Sequence, residues 1–188
     1  MGLKGNGGFN QADSRFTRKS GTYDEKRAAN IEEIKKRLQD YGPDGLFDHL
    51  TKKAAWTWSD GTYFISKHIW NEPQQPNIMH EFILKNGKYH NSFVFVSNMF
   101  HVLMLLMICL SAIASIIRPR MNFSVLLKGL IFGVFLFFLV WETRSRYLMN
   151  FTPVFLLVAA DGIIAAADLK WKRTNKKRSG KRLDTPAA

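Results

Sequence analysis

The chain has 188 residues, with 27 Lys and Arg against 15 Asp and Glu, and one cysteine. The formal charge of +12 is uneven: residues 1–91 carry 14 basic and 11 acidic side chains, whereas residues 170–188 carry eight and one. A basic excess gathered in a tail, with no basic patch interleaved with aromatics, excludes a nucleic-acid-binding domain, and a lone cysteine excludes an intrachain disulfide.

Residues 1–21 are polar and rich in glycine, without the apolar stretch of a signal peptide. Gly5-Asn6-Gly7-Gly8 lacks the Lys-Ser/Thr and the preceding strand of a phosphate-binding loop. A helix is expected over 22–40. Thr22 and Glu25 form a capping box there, and Ile31, Ile34 and Leu38 share one stripe. Tyr41-Gly42-Pro43 ends it, and Pro43 opens a second helix over 43–58. That helix presents Leu46, Phe47, Leu50 and Ala54, and carries Lys52, Lys53, Trp56 and Trp58 near its end. Indole rings favour the headgroup layer, so this amphipathic helix is expected to lie along a membrane surface; a small soluble helical core is the alternative. Ser59-Asp60-Gly61 reads as a turn and residues 73–77 as a loop. Asn86-Gly87 between two short apolar runs predicts a short hairpin.

Three apolar runs follow, over 92–117, 123–141 and 151–169. Each is close to the roughly 20 residues that carry a helix across a bilayer. The fold class expected is an all-α integral membrane protein. It has three transmembrane helices (about 93–117, 123–141 and 152–169), an external, mainly helical region over 1–91 and a basic cytoplasmic tail over 170–188. Asn98, His101, Ala112 and Ser115 fall on one face of the first span, which should meet protein, with His101 as a hydrogen-bonded packing residue. Cys109 is expected to be a buried structural thiol. Gly129 and Gly133 in the second span have the spacing that lets helices approach closely. Lys128 is expected to snorkel toward Arg118-Pro119-Arg120. Asp161 sits inside the third span among small residues. A structural hydrogen bond, a neutral acid and a functional role all fit it.

Lysine-rich loops stay in the cytoplasm, so the tail is placed inside and residues 1–91 outside, in a cell membrane. The connector 142–150 then lies at the outer boundary. Its Glu142, Arg144, Arg146 and Tyr147 are the candidate site. Guanidinium forks match phosphate oxygens bidentately, which points to an anionic lipid head group. An extended backbone would aim Glu142, Arg144 and Arg146 the same way, and a helical one would pair Glu142 with Arg146. A structural ion pair with ordinary lipid anchoring is the simpler reading.

Trp141-Glu-Thr-Arg-Ser-Arg-Tyr-Leu148, followed by Asn150-Phe-Thr-Pro-Val-Phe-Leu-Leu157, resembles the C-terminal region of bacterial polytopic glycosyltransferases of the C-type fold. These are relatives of protein mannosyltransferases that use polyprenyl-phosphate sugars. Residues 1–9, 29–38 and 56–63 resemble Gram-positive members. The resemblance implies a C-terminal segment of such an enzyme, not catalytic alone, because the region holding the family's proposed catalytic carboxylate has no counterpart here. It maps Glu142, Arg144, Arg146 and Tyr147 to the lipid-phosphate side of a site, with no catalytic residue carried over. The expected partners are membrane lipids, a polyprenyl-phosphate-linked sugar and further membrane helices, with no nucleic acid. No metal and no cofactor is expected, and the histidines lack zinc spacing. The alternative is a free-standing three-helix membrane protein acting as an envelope interaction subunit.

Overall fold

The computed structural model describes residues 2–19, 21–65, 69, 75, 77–117 and 123–183, with side chains to residue 168. The connector 118–120, most of the loop at 73–77 and the tail side chains lie outside the described residues. Every regular element among the described residues is helical. Three helices are long and apolar enough to cross a membrane, within His90–Ile117, Phe123–Val140 and Ser145–Asp168.

Helix α1 spans Gln11–Lys19. Its cap is Asn10, whose Oδ1 accepts from the amides of Ala12 at 2.9 Å and Asp13 at 3.2 Å. Helix α2 spans Tyr23–Trp58 and opens on the expected capping box. Glu25 accepts from the Thr22 amide at 2.7 Å, and the Glu25 amide donates back to Thr22 Oγ1 at 3.4 Å. Gly42, at φ 59° and ψ −177°, breaks the helix immediately before Pro43, which is where the sequence divides it. The positive φ is open to glycine without a Cβ penalty.

The hairpin expected around Asn86-Gly87 is not there. Helix α3, Ile78–Ile83, occupies its first arm and helix α4, His90–Ile117, begins in its second. Asn77 caps α3 by accepting from Met79, and His80 accepts back from the Asn77 amide at 2.9 Å. Gly87 makes the turn, but its neighbours fold back on a helix: the Tyr89 amide reaches Glu81 O at 2.9 Å and Tyr89 stacks on Phe82. A lone two-stranded ribbon is marginal in water, whereas a capped turn joined to a long helix is not. Helix α5 spans Phe123–Val140, a 3-10 turn covers Ser145–Phe151, and α6 runs over Thr152–Leu183. Helical backbone thus continues into the basic segment expected as a tail.

The chain forms two compact units. One comprises Met1–His101 and Phe132–Asn150, and the other Val102–Ile131 and Phe151–Ala188. In the first, the fully buried side chains are Lys53, Thr57, Thr143 and Leu148. In the second, Phe155, Val158 and Ser111 are fully buried, and Gly162 lies against the Met107 backbone so closely that a Cβ there would overlap its carbonyl. This contact lets α6 approach α4. The connector toward which Lys128 is expected to snorkel lies outside the described residues; Lys128 itself donates to Asp161 at 2.9 Å and to Ser115 Oγ at 2.7 Å, which matches an ammonium on an apolar helix with a carboxylate in reach. Ser111 at 2.5 Å and Ser124 at 2.7 Å donate to the same Asp161 oxygen. Cys109 is exposed on its span, not buried. Gly129 and Gly133 likewise have open space where a Cβ would stand.

Candidate functional site

The first unit is organised around the connector after α5. Residues 142–144 are irregular. Thr143 and Ser145 turn inward and are buried, while Glu142, Arg144, Arg146 and Tyr147 keep partial exposure. Three elements pin this segment. The Thr143 amide donates to Gly7 O at 2.9 Å, Thr143 Oγ1 is 2.9 Å from Thr57 Oγ1 on α2, and Ser145 Oγ donates to Asp60 at 2.7 Å.

Asp60 is the knot of the loop after α2. One carboxylate oxygen accepts from the Thr62 amide at 3.0 Å and its hydroxyl at 2.6 Å; the other accepts from the Phe64 amide at 2.9 Å and from Ser145. Burial alone would raise its pKa, but these hydroxyl and amide donors outweigh burial and hold the carboxyl below its ordinary value. Tyr63 and Phe64 both have positive φ, 51° and 67°. That conformation is strained for side-chain-bearing residues, and the Asp60 bonds hold it. Gly61 is required because a Cβ there would overlap the Ser97 carbonyl; its amide donates to Asn98 at 2.9 Å. His101 closes the same loop. Its Nε2 donates to Trp58 O at 2.9 Å, and Tyr63 stands edge-on to the ring. His101 is therefore the buried packing residue expected.

The strained loop presents Phe64 to Arg144, whose Cζ lies 5.0 Å from the ring centroid. Among the described residues no carboxylate pairs with Arg144. Arg146 instead lies over the Tyr147 ring at 5.0 Å and donates to its hydroxyl at 3.2 Å, and that hydroxyl donates to Glu142 at 3.2 Å. The arrangement matches neither simple expectation. Tyr147 bridges Glu142 to Arg146, and Arg144 stands apart on its own aromatic platform.

Beneath the connector lies a group that sequence reasoning passed over. His49, Lys53 and Thr57, four residues apart, form the most buried stripe of the second half of α2, while Phe47 is exposed. Lys53 Nζ donates to Gly2 O at 2.9 Å and to Leu139 O at 2.8 Å. His49 Nε2 lies 3.0 Å from the same Gly2 oxygen and therefore carries the proton. Gly7 fits because a Cβ would enter the Lys53 stem. Burial pushes the Lys53 amine down to about 8. The i, i+4, i+8 spacing of these polar residues was the available signal.

Alongside lies an open cavity of about 670 Å³, lined by α1, α2 and residues 139–142. At its rim Arg37 holds Asp13 through both guanidinium nitrogens, at 2.8 and 2.9 Å, and holds Glu33 at 2.8 Å. Arg37 keeps Asp13 well below the usual carboxylate range against the opposing effect of burial, and Asp13 raises Arg37 in turn.

A family model described as conserved hypothetical integral membrane protein matches residues 1–166. The chain belongs to that family. The match takes in the first unit, the first two candidate spans, the third as far as residue 166, and the connector with Arg144 and Arg146. No curated protein and no solved structure matches.

Proposed function

We propose that this integral membrane protein binds a lipid-linked phosphate at the connector after its second span, with Arg144 as the principal contact. The observation that carries the reading is an arginine held over an aromatic ring without a carboxylate partner among the described residues, one turn beyond the end of a membrane helix. The Asp60 knot, the strained Phe64 and the pinned Thr143 and Ser145 pre-position its fork, which lowers the ordering entropy of binding. Glu142, Tyr147 and Arg146 form the second edge of the site. Charge counts support placing this face outside the cell membrane and the lysine-rich C-terminal segment inside.

The resemblance of residues 141–157 to enzymes that use polyprenyl-phosphate sugars supports a polyprenyl phosphate as the lipid, bound by a segment that is not catalytic alone. In that reading Asp60 is a positioning residue rather than a base, since each of its oxygens already takes two donors.

The test is a titration of the full chain in nanodiscs with farnesyl phosphate, and with farnesol as control. Arg144→Gln should weaken farnesyl phosphate binding about tenfold to a hundredfold, the equivalent of one charge-assisted hydrogen bond, and leave farnesol unaffected. Equal binding of phosphate and alcohol by the wild type, or no effect of Arg144→Gln, would overturn the proposal.

A further inference from the structure

We infer that the cavity between α1, α2 and the end of α5 is a binding site for one hydrocarbon chain of a bilayer lipid. Its walls carry Phe16, Ile34, Leu38, Leu46, Leu50 and Leu139. Of these, Phe16, Ile34 and Leu38 are left 40–47% exposed although they line a concave surface. Exposed apolar side chains gathered around a cavity mark a binding surface rather than a packed core, and a volume of about 670 Å³ is typical of small-ligand sites.

Two observations select the occupant. First, one wall is Leu139-Val140-Trp141, where a membrane-spanning helix ends. That wall therefore stands at the level where lipid chains meet their head groups. Second, most of the charge on the lining is paired: Arg37 is taken by Asp13 and Glu33, and Lys4 lies 3.6 Å from Asp13. Saturated ion pairs ask for no charged guest, so the interior suits an uncharged apolar one. Of the other polar groups on the lining, Thr17 and Asn30 bond each other at 3.0 Å, and Glu142 accepts from the Tyr147 hydroxyl at 3.2 Å. The assignment uses the cavity's own lining and does not depend on Arg144.

The experiment uses the full chain in nanodiscs doped with a phospholipid carrying a photoactivatable diazirine midway along one acyl chain. Labelled peptides are then mapped by mass spectrometry. Label is expected on residues 13–17 and 34–50 as well as on the three spans. Leu38→Trp and Ile34→Trp, which fill the cavity, should each lower the cavity label about tenfold and leave span label unchanged, the latter serving as the check on folding. Wild-type label confined to the spans would overturn the inference, as it would if the cavity were filled by another part of the chain or by a protein. Cavity label that survives in a Trp variant with normal span label would overturn it too. Should either variant lose span label, native mass spectrometry of the wild type decides: one retained phospholipid per chain supports the site, and none removes it. Arg144→Gln should keep the cavity label, so failure of the phosphate proposal and failure of this one are read separately.

Discussion

Lys53 sits with its ammonium fully buried between two backbone carbonyls and without a carboxylate partner among the described residues. Its folded-state value of about 8 lies below the ~10.4 of a free lysine. Below pH 8 the amine is charged both folded and unfolded, and the fold carries the full desolvation penalty. Between pH 8 and about 10.4 the unfolded chain binds the proton and the folded chain does not, so stability rises with pH through that window. Above it the penalty is gone. The difference is about 3 kcal/mol, which for a protein of this size corresponds to a rise in Tm of about 6–12 °C. The neutral amine still has two N–H donors for Gly2 and Leu139, so relief of the charge need not break the clasp. Lys53→Met removes the titration and keeps most of the stem. The assay is thermal unfolding in nanodiscs, followed by tryptophan fluorescence from pH 7 to 10.5, wild type against Lys53→Met. Ionisations elsewhere in the chain are common to both proteins and cancel in the comparison. Wild-type stability should climb relative to the variant as pH rises. Parallel curves for the two proteins would refute the reasoning.

Asp60→Ala should cost about 3 kcal/mol, because it strips four donors of their acceptor and releases two residues held at positive φ; faster proteolysis between residues 60 and 65 is the readout. Lys128→Met should destabilise the second unit by about 3–5 kcal/mol by leaving a carboxylate unpaired, while adding Asp161→Leu should restore most of that loss, measured by unfolding in sodium dodecyl sulfate. Thr152→Val should be neutral or stabilising by about 1 kcal/mol, since the Thr152 hydroxyl is buried without a hydrogen-bond partner among the described residues; the same unfolding assay decides.

Much of the helical framework was legible because it rests on local rules. The Thr22–Glu25 capping box, the break at Gly42-Pro43 and the three long apolar runs are read from neighbours in sequence, and each appears where those neighbours put it. Helix α1 was missed since it is only nine residues long and strongly polar, with Asn10 as its cap and little but Ala12 and Phe16 to mark an apolar side. The expected hairpin failed because Asn86-Gly87 specifies a tight turn but not the structure on either side of it; the capping of α3 by Asn77 and the start of α4 decided that. In the site, the candidates were visible by residue type, but their partners were not. Nothing local tells that Phe64 lies under Arg144, or that Tyr147 separates Glu142 from Arg146, because those contacts depend on a loop some 80 positions upstream and on a 3-10 turn in place of an α-helix.

Arg37 and Arg144 show what the sequence leaves undecided about a charge. Arg37 stands four residues after Glu33 on a helix, which makes one of its bonds local, and Asp13 completes the pairing from another element. Its guanidinium is saturated, so its contribution is to close a rim. Arg144 belongs to a segment too short and irregular to place a carboxylate at helical spacing, and Glu142, the nearest acid, is taken up by Tyr147. A half-exposed guanidinium seated on Phe64 keeps its in-plane donors available, because a cation–π contact engages the face of the fork and not its edge. The same side chain thus has its anions within reach at position 37 and lacks a carboxylate among the described residues at position 144. Tyr63 and Phe64 hold a conformation costly for residues with side chains, and the loop they form is what sets the Phe64 ring against Arg144.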